Sequence, residues 1–403
     1  MKVLFLSSTG QTGGAEAALL ELLAGLRERH PFWPLALLVA SDGPLVSRAR
    51  DLGVAVRVLP FPSSLARLGD WGLGRGGSAR LAMGLRAVLA LAPTWRYLRR
   101  LRRVMREEAP DVVHTNGLKM HVLGAWARPA GARLLWHLHD YAGRRPIAAR
   151  LLQRYANRCD VIVANSASVA ADARRVCGGA DVRAIWNAVD LGRFTPDGPR
   201  ADLDGLAGLP PAGPGAVRVG LVATFARWKG HGTFLEALAV LPPSLHVRGY
   251  VVGGPLYDTE GSQVSLADLR RQVSALGLDG RVGFTGFVAD TAAVMRALDV
   301  VVHASTEPEP FGLVIAEAMA CGTAVVCSGA GGAAEIATPG ENALAHGPGD
   351  VRALADGIAA LARDRDLRRR VGEAGRRTAE RAFTRERLAR EFTAVYQEFA
   401  PAS

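Results

Sequence analysis

The sequence predicts an α/β protein of two consecutive parallel-sheet domains, on three observations. Short runs of β-branched residues and leucine alternate with helix-length stretches, a segment rich in Pro, Gly and Asp interrupts the chain near its middle, and the same alternation resumes after it. Apolar runs that lack polar alternation mark strands buried on both faces, as in a parallel sheet covered by helices. The 403 residues, 49% hydrophobic and 22% charged, suffice for two cores of roughly 150 to 200 residues each.

In the first half, Val3 to Leu6 reads as a strand and Ala15 to Leu26 as the helix after it. Leu35 to Val39, Val54 to Leu59, Val112 to His114, Leu134 to His139 and Val161 to Ala164 read as further strands. The stretch TPDGPRADLDGLAGLPPAGPGA, between Phe194 and Val217, has no apolar period and is read as the linker. The domains are therefore placed at 1–195 and 196–379. Val217 to Thr224, Val247 to Val252, Val282 to Phe287, Val300 to His303 and Ala324 to Cys327 are the second set of strands. Beyond Asp350 the chain turns helical, and an amphipathic last segment, 380–403, is expected to return to the first domain.

Composition excludes several classes. Forty-nine Lys and Arg against 38 Asp and Glu leave a net charge of +11, which favours phosphates, nucleotides or anionic lipid as partners. No recognisable nucleic-acid-binding module accompanies that charge, so nucleic acid is not expected as a partner. Cys159, Cys177, Cys321 and Cys327 form no CxxC pair, so neither a zinc site nor a disulfide framework is expected. MKVLFLSSTG is apolar for too short a run to be a signal peptide, and Leu81 to Ala92 is interrupted by Arg86; a cytoplasmic location without a membrane span is expected. Asp364 and Asp366 form a DxD within a charged helical surface, and no metal is expected there.

The stretch HASTEPEPFGLVIAEAMACGTAVV, from His303 to Val326, carries the most chemistry. A strand ending at His303, a turn with Pro308 and Pro310, and a helix opening near Phe311 would offer the amides of Phe311, Gly312 and Leu313 to a diphosphate. Glu309 before this helix and Glu317 two turns into it lie roughly 12 Å apart along the axis, at ~1.5 Å per residue. Two carboxylates acting on one glycosidic bond lie ~5 to 9.5 Å apart, so this spacing suits the two hydroxyl-rich ends of one elongated ligand.

These residues resemble the retaining glycosyltransferases of the GT-B fold, family 4, whose signature is a Glu, then Pro-Phe-Gly, then a second Glu. Glu309, Phe311, Gly312 and Glu317 match it, and Gly331 to Ile336 continue the pattern. The resemblance implies two Rossmann-like domains facing a cleft, with the C-terminal helix crossing back to the first. It also implies that Glu309 binds the donor sugar and Glu317 the ribose diol. In VRVGLVATFARWKGHG, Lys229 is placed to neutralise the leaving diphosphate. Thr224 stands where the family has an Arg, so Arg227 is the candidate replacement.

The loop SSTGQTGGAEAALLELL lacks the GxGxxG order of a dinucleotide site, and resembles the family's Gly-Gly-Ala-Glu loop with Gly13, Gly14 and Glu16. His139 ends the run LLWHLHD at the carboxyl end of a strand, and the resemblance assigns it to the donor sugar; His137 reads as its buried neighbour. His114 and Asn116 resemble cleft-lining positions. Gly253, following a strand, and Phe287 with Val288 resemble the main-chain surroundings of the nucleotide.

The expected function is transfer of a hexosyl group from a UDP- or GDP-linked donor to a carbohydrate or lipid-linked hydroxyl, with retention, no metal and no cofactor, in envelope or exopolysaccharide assembly. From Trp71 to Arg106 the chain has no acidic residue, and its arginines interleave with Trp95, Tyr97 and leucines. That pattern suits contact with the inner face of an anionic membrane. A non-catalytic partner subunit and a nucleotide-sugar epimerase are the alternatives.

Overall fold

The computed structural model describes residues 1–66, 77–255 and 263–399, and for 77–90 the backbone alone. The chain divides into two compact units: Met1–Ala188 joined by the C-terminal segment from Arg385, and Val189–Thr384.

The first unit is built on β1 (Val3–Ser7), β2 (Leu35–Val39), β3 (Ala55–Val58), β4 (Val112–Asn116), β5 (Arg133–Leu138), β6 (Val161–Ala164) and β7 (Val182–Ala184). They form one sheet in the order β3-β2-β1-β4-β5-β6-β7, every pair parallel. Leu4, Leu6, Val113, Leu134 and Trp136 bury into one face, while Val3, Phe5, Val112 and Leu135 bury into the other. This two-sided burial is why the strands read as unbroken apolar runs. The C-terminal helix Arg385–Gln397 completes the second face with Leu388, Phe392 and Tyr396. It is held there by Arg385 Nε to Glu21 at 2.5 Å, and by Arg387 donating to the carbonyls of Trp186 and Asn187.

The second unit contains β8 (Val217–Val222), β9 (Val247–Val252), β10 (Val282–Gly286), β11 (Val300–His303), β12 (Ala324–Ser328) and β13 (Leu344–His346). Their order is β10-β9-β8-β11-β12-β13, again parallel throughout. Val189 to Thr195 belong here rather than to the first unit, because Val189 N–H donates to Phe383 O and Arg296 donates to the carbonyls of Arg193 and Thr195. The segment read as a linker is in part structural. It holds the short helix Leu203–Ala207, and its buried Asp204 accepts from Tyr250 Oη at 2.6 Å, Arg248 Nη1 at 2.8 Å and Ala212 N at 3.0 Å. Asp364, of the DxD pair, caps the helix Arg365–Ala382 by accepting from Leu367 N.

Several histidines are sealed in these cores. Burial pushes His121 down to about 3 and His231 to about 4, and carries His114 and His137 well below the usual imidazole range. Unfolded, the same rings gain protons as pH falls through ~6.5. The native chain thus holds fewer protons below that pH, and stability, full above ~6.5, declines toward the folded values by up to ~1.4 kcal/mol per pH unit per ring. Glu16, raised by burial, opposes this with a single group. The melting temperature is expected to fall steadily from about pH 6.5 to 4.5, above the range in which Glu309 and Asp204 titrate. A flat profile over that window in thermal-shift measurements would contradict neutral burial of these rings.

Candidate active site

In the second unit, β11 delivers the chain at His303 into a loop that ends at Gly312. Gly312 adopts φ 99°, a left-handed conformation that caps the helix Leu313–Ala320. The helix therefore opens at Leu313, not near Phe311. Leu313 and Gly312 stand at its entrance, while the Phe311 ring is buried edge-on against Phe383 at 5.9 Å and leaves only its backbone for a ligand. Glu317 lies half-buried one turn further in.

Glu309 is clamped from both sides of its peptide: its N–H donates to Ala330 O at 3.2 Å, and its carbonyl accepts from Gly332 N at 2.7 Å. The residue is 7% exposed, and its side chain gathers its partners closely. Lys229 Nζ donates to its two oxygens at 2.9 and 3.2 Å, His303 Nε2 lies 2.9 Å from Oε2, and Ser305 Oγ donates to Oε2 at 3.0 Å. Burial alone would raise this carboxyl, but the Lys229 charge and the His303 hydrogen bond outweigh it and hold the group ionised, well below the usual carboxylate range.

Lys229 ends a single 3-10 turn, Arg227–Lys229, between β8 and the helix His231–Ala239. Trp228 O accepts from Thr306 N at 2.8 Å, and the Trp228 ring lies 3.8 Å from the Lys229 ammonium. The turn is thus fastened to the Glu309 loop. Arg227 stands exposed on the same turn, within electrostatic reach of Asp268, and Thr224 is half-buried behind it.

Gly253, Phe287 and Val288 meet at the carboxyl ends of β9 and β10. The glycine at 253 has a packing reason: at φ 130°, a Cβ there would lie 2.1 Å from Ala223 O, and its N–H donates to Gly286 O. The exposed Phe287 ring covers Gly254.

In the first unit, Gly13 caps the helix Gly14–Arg29, and its N–H donates to Glu16 Oε2 at 3.1 Å, so Glu16 closes the capping box of its own helix. Asn116 ends β4 and joins this loop to His139. Its amide nitrogen donates to Ala15 O at 3.4 Å, and its Oδ1 accepts from His139 Nε2 at 2.6 Å. Burial pushes His139 down to about 3, so the ring is neutral, with its proton on Nε2 and a lone pair on Nδ1, which has no partner among the described residues. His114 does not line an open surface. It is fully buried, hydrogen-bonded to Tyr396 Oη at 2.7 Å and to His137 Nδ1 at 3.2 Å, and packed against Phe392. The C-terminal helix, which supplies Tyr396 and Phe392, seals it. Asn116 is likewise buried, and acts through His139.

Sequence reasoning missed His303 and Ser305 as holders of Glu309. The available signal was the one used for His139, a polar residue ending an apolar strand.

Comparison with known proteins gives the family and the fold. Residues 12–193 match the family model described as Glycosyltransferase Family 4, and residues 215–378 the model described as Glycosyl transferases group 1. The lipopolysaccharide core biosynthesis glycosyltransferase LpsE of Rhizobium meliloti is 31% identical over 72% of this chain and 76% of its own length. The lipopolysaccharide core biosynthesis mannosyltransferase LpcC of Rhizobium leguminosarum is 37% identical over 53% of this chain and 58% of its own. The crystal structure of HepE from Anabaena in complex with UDP-glucose superposes with a TM-score of 0.78 at 27% identity, covering 99% of this chain and all of that one. With both halves matched in family order, the chain belongs to glycosyltransferase family 4 and has the GT-B fold.

Proposed function

We propose that this chain moves a hexosyl group from a nucleoside diphosphate sugar to a hydroxyl of a cell-envelope saccharide, with retention at the anomeric carbon and without a metal ion. The observation that carries the reading is the Lys229–Glu309 pair at the entrance to the Glu317 helix. An ammonium has three N–H groups; two directions are taken by Glu309, and the diphosphate takes the third. The helix entrance at Gly312 and Leu313 supports the same anion, and Glu317 holds the ribose diol. Glu309, kept ionised, accepts hydrogen bonds from the sugar hydroxyls. Neutral His139, oriented by Asn116, is assigned to the donor sugar by the family resemblance.

The C1–O bond to the diphosphate breaks as the acceptor oxygen bonds to C1 on the same face. The acceptor proton passes to the departing phosphate oxygen, so charge and proton balance without a protein nucleophile. UDP is favoured over GDP as the nucleotide by the UDP-glucose complex of HepE, and an envelope acceptor by the names of LpsE and LpcC. The test is turnover of UDP-glucose in EDTA with a lipopolysaccharide-core saccharide, reading the anomeric proton of the product by NMR. An α product from the α donor, with rate unchanged by EDTA, is expected. A β product, or activity that returns only with added divalent metal, would defeat the proposal.

A further inference from the structure

Three consecutive helices of the first unit, Gly77–Glu108, Leu118–Ala127 and Pro146–Tyr155, cover one face of its sheet through Leu101, Met105, Met120, Leu123 and Leu152. Of the basic stretch 71–106, Trp71 and Arg75 lie outside the described residues, and Arg80 and Arg86 outside those whose side chains are described. What is described extends the basic character beyond that stretch. Arg96, Arg99 and Arg100 on the first helix, with Arg150, Arg154 and Arg158 on or just after the third, are all exposed. Among the described residues none of these six forms an ion pair. The helix Arg365–Ala382 carries acidic partners of its own, pairing Arg369 with Asp366 and Glu373, and Arg376 with Glu380, while Gly77–Glu108 pairs Arg103 with Glu107.

The same layer exposes its apolar residues. Leu91 and Trp95 on the first helix, and Ile147 and Leu151 on the third, are i, i+4 pairs, and with Trp126 on the second they are 40 to 66% exposed. Trp126 stitches the layer together: its carbonyl accepts from Arg102 at 2.7 Å, its ring meets Tyr155 at 5.6 Å, and Arg158 lies over it. The first helix descends into β4 and the third rises from β5, so both apolar pairs lie toward the carboxyl edge of the sheet, the edge that carries His139.

We propose that this three-helix layer is a peripheral docking face for an anionic lipid bilayer, with the exposed arginines on the headgroups and Trp95, Ile147 and Leu151 in the acyl boundary. Charge complementarity selects the occupant, since a layer with six exposed guanidinium groups that form no ion pair among the described residues, three of them (Arg99, Arg154 and Arg158) lying over the rings of Trp95, Tyr155 and Trp126, gains most from a surface of negative headgroups. Exposed apolar pairs between those arginines select lipid over a nucleic-acid backbone, which offers them nothing to enter. No helix among the described residues is long and apolar enough to cross a membrane, so the contact is interfacial.

The test is flotation of the full chain with vesicles of phosphatidylcholine alone, or mixed with phosphatidylglycerol, combined with tryptophan quenching by brominated lipid. Partitioning is expected to be at least about 100-fold higher on the anionic vesicles at low salt, and to vanish at about 1 M salt. Arg150→Glu with Arg154→Glu is expected to reduce it by about 25-fold or more, at roughly fivefold per arginine. Trp95→Ser with Ile147→Ser is expected to remove the quenching. Circular dichroism and melting temperature serve as the control for folding, so the outcome is independent of whether the chain turns over a nucleotide sugar. Equal binding to both vesicle types, or full binding by the folded charge-reversed variant, would overturn the proposal. So would duplex DNA bound through the same arginines as tightly as anionic vesicles, with no quenching by brominated lipid.

Discussion

Glu309→Gln is expected to lower kcat/KM by about 10²- to 10³-fold, the scale seen when one preorganised electrostatic group is removed from a reacting centre. The neutral amide keeps the size of the side chain but loses the charge that Lys229, His303 and Ser305 all address. It also leaves the Lys229 ammonium, itself largely buried, beside a group that no longer compensates it. Breaking a buried pair by changing one partner costs about 3–5 kcal/mol, so the single variant loses stability as well as rate. The double variant Glu309→Gln, Lys229→Met separates the two effects. With no charge left to compensate, its melting temperature is expected to recover most of the loss, while turnover stays at the level of the single variant or lower. Recovery of activity in the double variant would show that the pair is structural and that neither residue meets the donor.

The second large effect is expected at Gly230. Its φ of 73° lets the turn that carries Lys229 close onto β11, and a Cβ added there would fall 1.8 Å from Ala304 O. Nothing flexible can yield, because the obstacle is backbone. Gly230→Ala combines left-handed strain with a forced shift of the turn and is expected to cost about 3 kcal/mol or more, or roughly 6 to 12 °C in melting temperature for a unit of this size. The same shift moves Lys229 off Glu309, so donor affinity falls with stability. Gly340→Ala is the comparison: its φ is 81°, yet a Cβ there meets nothing within 4 Å. It is expected to cost about 1 kcal/mol, from strain alone. Equal losses at both positions would mean that the contact with Ala304 is unimportant.

Much of this architecture was legible in the chain because strands buried on both faces leave unbroken apolar runs. Val3–Ser7, Val112–Asn116 and Val300–His303 sit within a residue or two of where those runs place them. Glu309 and Lys229 were legible because their local setting, a strand end followed by a turn and a helix, is itself a sequence pattern. What was not legible depends on distant partners. That Lys229 pairs with Glu309, eighty residues away, is a consequence of β8 lying beside β11. His114 ends an apolar run just as His139 does, and only the return of the C-terminal helix, with Tyr396 and Phe392, seals one while leaving the other partly open. Asp204 sits in a stretch that composition marks as a linker, and its burial depends on Tyr250 and Arg248 across the unit. Gly312 shows the limit at a boundary: its left-handed turn, invisible in the pattern, delays the helix to Leu313.

The entrance of the Glu317 helix, with Lys229 and Glu309 before it, is proposed as a metal-free nucleotide site. The most direct test is calorimetric titration of UDP, GDP and ADP in EDTA, on wild type and on Glu317→Ala. Selective binding of one nucleotide by the wild type, weakened at least tenfold in the variant, roughly the 1.4 kcal/mol of one lost charge-assisted hydrogen bond, is the predicted result. Equal affinity in wild type and variant, or binding that appears only when a divalent cation is restored, would contradict it.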